Sequence, residues 1–147
     1  MVPVTVRRQI DGKDGTLQFK PKSLVTEGQR SAARRGGSGW CPLPDQWNAM
    51  YIFDVLIFNP LRAQQFMLYS PDNWQLVLTG HNKSFDTGRS RPRYLKDVAL
   101  EIGVGWREKL AALTDDVLND ALADLMNSRR IKALARRRDL LLEDATK

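Results

Sequence analysis

Cysteine is nearly missing: the 147-residue chain holds one, Cys41. A single thiol excludes an internal disulfide, and that usage fits a reducing compartment. Histidine is as scarce, with only His81. A Cys41–His81 nucleophile pair is conceivable, but a cysteine directly before Pro42 reads more simply as inert. No zinc-finger spacing is present. No apolar run approaches the roughly 18 residues that span a bilayer. The opening MVPVTVRRQI lacks an apolar core followed by a small-residue cleavage site, so the expected location is cytoplasmic. Gly36, Gly37 and Gly39 are not followed by Lys-Ser or Lys-Thr, which excludes a phosphate-binding loop of that type. There is no internal duplication and no heptad run long enough for a coiled coil.

What is present suffices for one ordinary domain, or a part of a larger protein. Hydrophobic residues make up 42% and can bury a core, while 27% are charged. The formal net charge is +6, with the basic excess in residues 1–40 and in the run Arg129 to Arg138. Such a balance attracts nucleic acid or anionic surfaces. The basic stretches lack interleaved aromatics, however, and read as a solvated face.

Val2 to Ile10 is β-branched and extended in character, Asp11 to Gly15 reads as a turn, and Thr16 to Phe19 as a second strand. A hairpin this small needs a partner surface. Residues 20–43 are expected to be irregular, with Pro42 and Pro44 ending the loop. A helix follows from Asp45 to Phe58. It is apolar on nearly all sides, so neighbours should pack several faces. Asp54 is its exception and must be paired, hydrogen-bonded or part of a site. Asn59-Pro60 should stop this helix. Met67-Leu68-Tyr69 and Gln75 to Leu78 read as short strands around a turn at 70–73, followed by the polar turn Gly80-His81-Asn82-Lys83 and the apolar Phe85. The remainder is helical. Trp106, Leu110 and Leu113 share one face, Thr114 is a good N-cap, and Leu118, Ala121, Leu122 and Leu125 form the next stripe. Ser128 is the expected cap of a last helix with Ile131, Leu134, Leu141 and Leu142, interrupted by Arg136, Arg137 and Arg138.

The central segment Phe53-Asp54-Val55-Leu56-Ile57-Phe58-Asn59, then Pro60-Leu61-Arg62, Met67-Leu68, and Trp74 through Phe85 resembles a bacterial branch of atypical kinases. That branch is related in design to HipA and to the phosphatidylinositol kinases. The resemblance is most specific in these forty or so residues and extends more loosely over nearly the whole chain. It implies an α+β fold, mainly a helical kinase-like C-lobe with a small N-terminal β-hairpin and a short central one. Residues 1–20 would be the end of an N-lobe and its hinge, 21–43 a flexible linker, and 44–147 the C-lobe.

Kinases of this design need an Asp that orients the acceptor hydroxyl, and an Asn and a second Asp that hold magnesium on the phosphates. Carried over position by position, the resemblance puts Leu61 at the catalytic Asp, Phe66 at the metal-binding Asn and Gly80 at the metal-binding Asp. All three have lost their oxygens. Asp54, Asn59, Arg62 and His81 are retained polar positions, and Arg62 and His81 read as structural anchors. No catalytic residue, metal ligand or cofactor is therefore expected. The resemblance implies a catalytically inactive, kinase-like binding or scaffolding domain with a protein partner. The alternative is an active kinase using Mg-ATP, with a metal site rebuilt from Asp54, Asp72, Asp86 or Asn82 or completed by an upstream N-lobe. A basic adaptor for nucleic acid or an anionic surface is the third reading.

Overall fold

The computed structural model describes residues 2–19, 22–35 and 41–145. The chain is α+β, with small antiparallel sheets of two and three strands, one of them an N-terminal hairpin. Two compact units divide it, both discontinuous in sequence: 1–46 with 62–80, and 47–61 with 81–147.

In the first unit, β1 (Thr5–Ile10) pairs with β2 (Lys13–Gln18). The turn is shorter than the five residues expected. Asp11 and Gly12 alone form it, both at positive φ (51° and 74°), and Ile10 faces Lys13. Two left-handed residues match the right-handed twist of the strands, and Asp-Gly is the pair that adopts them. Gly15 consequently lies inside the ladder, opposite Arg8. Opposed residues share a face. One face carries Val6 with Leu17 and Ile10 with Lys13, flanked by Val4 and Phe19; the other carries Thr5 with Gln18 and Gln9 with Asp14. The apolar face is uncovered, with Val4 71% and Phe19 65% exposed.

Residues 20–43, expected to be irregular, contain β3 (Val25–Thr26) and α1 (Glu27–Ala32). Thr26 and Gln29 form a capping box: Thr26 Oγ1 accepts from the Gln29 N–H, and Gln29 Oε1 accepts from the Thr26 N–H at 2.9 Å. This reciprocal pairing satisfies two donors that a helix start leaves open. β3 pairs with β4 (Met67–Tyr69), and β4 with β5 (Leu76–Leu78), whose three residues are all buried. β4 matches the expected strand, and β5 begins one residue later than expected, at Leu76 instead of Gln75. Gln46 ties its surroundings together: its Oε1 accepts from the Leu76 N–H at 2.6 Å, and its Nε2 donates to the Cys41 and Trp74 carbonyls.

The helix α2 (Leu43–Leu56) begins two residues earlier than expected and ends two earlier. Pro42 and Pro44 do not close a loop. The Pro42 carbonyl accepts from the Gln46 N–H, and Pro44 lies in the first turn, where a missing N–H costs nothing. From Gln46 to Asn59 no residue is exposed, as its all-round apolar surface suggests. The stop comes before Asn59-Pro60 acts. Phe58 turns left-handed (φ 51°), its N–H donates to the Val55 carbonyl, and the Asn59 N–H donates to the Asp54 carbonyl at 2.8 Å. These two bonds are a Schellman ending, with an aromatic where glycine is usual.

The second unit also holds α3 (Val104–Ala112), α4 (Asp115–Leu122) and α5 (Ser128–Asp144). One core cluster gathers Ile52, Val55, Leu95, Ile102, Leu110 and Leu141; another gathers Leu118, Ile131, Leu134 and Ala135. Thr114 caps α4 by accepting from the Val117 N–H. Asn127, not Ser128, caps α5, accepting from the Arg130 N–H at 3.1 Å. The expected α4 stripe narrows, because Ala121 and Leu125 are exposed.

The three arginines expected to interrupt α5 have three different environments. Arg136 makes an exposed pair with Glu143. Arg138 reaches the start of α4, pairing with Asp115 and donating to the Leu113 carbonyl. Arg137 is fully buried. Its Nε donates to the Leu56 carbonyl at 2.9 Å, its Nη1 to the carbonyls of Asp86 and Gly88, and its guanidinium lies 5.4 Å from the Phe58 ring centre. Reading the whole basic run as a solvated face therefore fails at Arg137. Among the described residues, no helix is long and apolar enough to cross a membrane.

Candidate functional site

Phe66 and Gly80, which the resemblance set at metal-binding positions, lie against each other in the first unit. A Cβ at Gly80 would stand 2.5 Å from Phe66 Cγ and 2.8 Å from both Cδ atoms. Real Cβ atoms do not approach a ring that closely. Gly80 also has φ 77°, a conformation that penalises any side chain. The local fold enforces the contact. Phe66 ends a short 3-10 turn, Gln64–Phe66, that leads into β4, while Thr79 and Gly80 leave β5, which is paired to β4. The Phe66 carbonyl accepts from the Thr79 N–H at 3.1 Å, so the ladder continues to the contact itself. Arg62 fixes the same strand end, donating from Nη1 to the Thr79 carbonyl at 2.8 Å.

A cavity of about 590 Å³ opens beside Phe66. Its walls include Phe19, Leu24, Phe66 and Leu68, with Gln18, Thr26, Gln65 and Thr79 as polar groups, and none of its described lining residues is ionisable. That volume suits a small molecule. The polar groups are amides and hydroxyls, which carry no charge.

The first unit's own charges are elsewhere. Glu27 is buried and takes a bidentate pair from Arg30, with Nε to Oε2 at 2.8 Å and Nη2 to Oε1 at 2.6 Å. The Arg30 guanidinium lies 5.7 Å from the Tyr69 ring centre. The Arg30 hydrogen bonds hold the Glu27 carboxyl below the ordinary carboxylate value, against the opposing effect of burial, and a bond from Tyr69 adds to the shift.

Asp54, Asn59, Leu61 and His81 fall in the second unit. Asp54 and Asn59 are both buried. Asp54 Oδ2 accepts from the Tyr94 hydroxyl at 2.8 Å and Oδ1 from the Asn59 amide at 3.1 Å. This carboxylate ties the end of α2 to a residue forty positions on. His81 meets Phe53 edge to face, with ring centres 5.6 Å apart. Leu61 is 63% exposed. Of the other carboxylates considered for a rebuilt metal site, Asp72 is exposed, and exposed Asp86 caps its own turn by accepting from the Thr87 N–H at 2.7 Å. Among the described residues, no group of three or more His, Cys, Asp or Glu is placed to hold a metal ion.

Reasoning from the sequence missed Tyr94 and Arg137, for which no local pattern exists. It also missed α1, for which one does: Thr26-Glu27-Gly28-Gln29 has the capping-box spacing.

No family model, curated protein or solved structure matches the chain.

Proposed function

We propose that the chain is a kinase-like binding domain without phosphoryl-transfer activity, acting by holding a protein partner. The observation that carries this reading is the Phe66 ring packed on Gly80. An Asn and an Asp at these positions would put two hard oxygens where the chain has a ring and a bare backbone. The exchange is mutual: the ring fits because residue 80 has no Cβ, and residue 80 can carry no Cβ while the ring is there. The uncharged cavity beside Phe66 supports the same reading, since phosphoryl transfer depends on charge stabilisation.

The hairpin supports the partner class. Its apolar face is flanked by Arg8 and Lys13, with no carboxylate opposed to either on that face. A second copy stacked face to face would bring these cations together. A protein surface that is apolar and acidic complements them.

Calorimetric titration with Mg-ATP, alongside an assay for transfer of the γ-phosphate, tests the proposal. Neither magnesium-dependent binding nor transfer is expected. Magnesium-dependent transfer that disappears on substitution within residues 61–66 would overturn it and favour the active-kinase alternative.

A further inference from the structure

A second cleft, of about 590 Å³, lies wholly within the second unit and has a different chemistry. Its lining is Phe58, Ser90, Arg91, Arg93, Lys96, Leu140 and Asp144. Arg91 is already engaged. Its Nη1 donates to the Leu95 and Val98 carbonyls and its Nη2 pairs with Asp144 Oδ2 at 2.6 Å, so these two charges balance and hold the rim. Arg93 and Lys96 are exposed and have no side-chain partner among the described residues. They begin and follow the 3-10 turn Arg93–Leu95. Residues three apart eclipse in that geometry, so the two cations stand on the same side. The same cleft is lined by an aromatic ring, Phe58, and an aliphatic side chain, Leu140. The ring is held firmly: Arg137 lies over it, and Gly88 packs so close that a Cβ there would collide with the Phe58 ring.

We propose that this cleft binds a small anion that carries a ring-sized apolar group, a phosphate monoester or a carboxylate. Arg93 and Lys96 take the anion, the Ser90 hydroxyl is within the lining to donate to it, and Phe58 and Leu140 take the apolar part. Asp144 does not oppose this, because Arg91 neutralises it. The inference is independent of the Phe66–Gly80 reading, which concerns the other unit.

Phenyl phosphate is the probe, followed by calorimetry and by amide chemical-shift changes. Inorganic phosphate serves as the charge-only control and benzyl alcohol as the ring-only control. Phenyl phosphate should bind and shift residues 90–96 and 140–144. Each control should bind at least about tenfold more weakly. The double variant Arg93→Ala/Lys96→Ala should lose at least about tenfold in affinity, since charge-assisted hydrogen bonds contribute on that scale. Both side chains are exposed, so its circular dichroism should match that of the unaltered protein. Absence of phenyl phosphate binding overturns the proposal. So does equal affinity in the double variant, or a control that binds as tightly as the probe.

Discussion

The Phe66 ring lies on Gly80 so closely that a Cβ at residue 80 would be 2.5 Å from Cγ of the ring. The ring can lie there only while residue 80 has no side chain. The pair gives the proposed loss of activity a geometric form, and it predicts a coupled response to mutation.

Gly80→Asp, which introduces the carboxylate that the kinase resemblance implies at this position, should destabilise the fold by about 2–5 kcal/mol. Overpacking accounts for about 1–3 of this and the left-handed backbone for about 1–2. Phe66→Ala removes the obstacle. The double variant should therefore lose less than the sum of the single losses, by about 1 kcal/mol or more. Urea denaturation of all four proteins measures this coupling. Strict additivity would mean that the ring moves aside freely.

Arg137 should be among the least replaceable residues of the second unit. Burial pushes its guanidinium down to about 10, with Asp86 opposing, so it remains charged at neutral pH. Arg137→Met keeps much of the apolar stem but strands the carbonyls of Leu56, Asp86 and Gly88. At about 1–3 kcal/mol for each unsatisfied group, with some relaxation, the expected loss is about 3–5 kcal/mol. Arg137→Lys should recover only part of it, because an ammonium cannot reproduce the planar fork. Thermal unfolding of both variants distinguishes a role for the fork from a role for the charge alone.

Tyr94→Phe isolates the hydroxyl that donates to Asp54. Removing one hydrogen bond to a buried carboxylate should cost about 1.5–3 kcal/mol with little change of shape. Asp54→Asn should not be additive with it, since both act on the same bond. Equilibrium denaturation of the double cycle is the measurement.

Glu27 predicts an acid limb for the first unit. Its carboxyl in the folded protein lies below the ordinary value, chiefly because Arg30 donates to it. The unfolded chain therefore binds its proton first as pH falls. The stabilisation is complete above the ordinary carboxylate value and is lost as pH drops through the lower, folded one. Glu27→Gln should flatten stability across that window, leaving a protein that is weaker at neutral pH and less sensitive to acid. Denaturation curves from neutral to strongly acidic pH test this. An unchanged slope in the variant would assign the acid sensitivity to other carboxylates.

Features governed by neighbours a few residues apart were determined by the sequence. Asp11-Gly12 makes a hairpin because two left-handed residues close it wherever it occurs. Thr114 caps α4 through its own third neighbour. Ile131 and Leu134 recur at helical spacing on α5 and are buried. The same local logic erred where a second rule was available: proline was taken as a loop ending before α2, yet a first turn accepts it. What only tertiary structure decided are meetings across long separations. β3 has two residues and exists through pairing with β4. Arg137 reaches three carbonyls far from it in sequence, and a charge in a basic run carries no mark of which side its helix will bury. Asp54 could be recognised as needing a partner, but nothing near it pointed to Tyr94. Phe66 and Gly80 are written in the chain, whereas the reason that residue 80 has no room for a side chain lies in a ring and a backbone that touch only after β4 and β5 have paired.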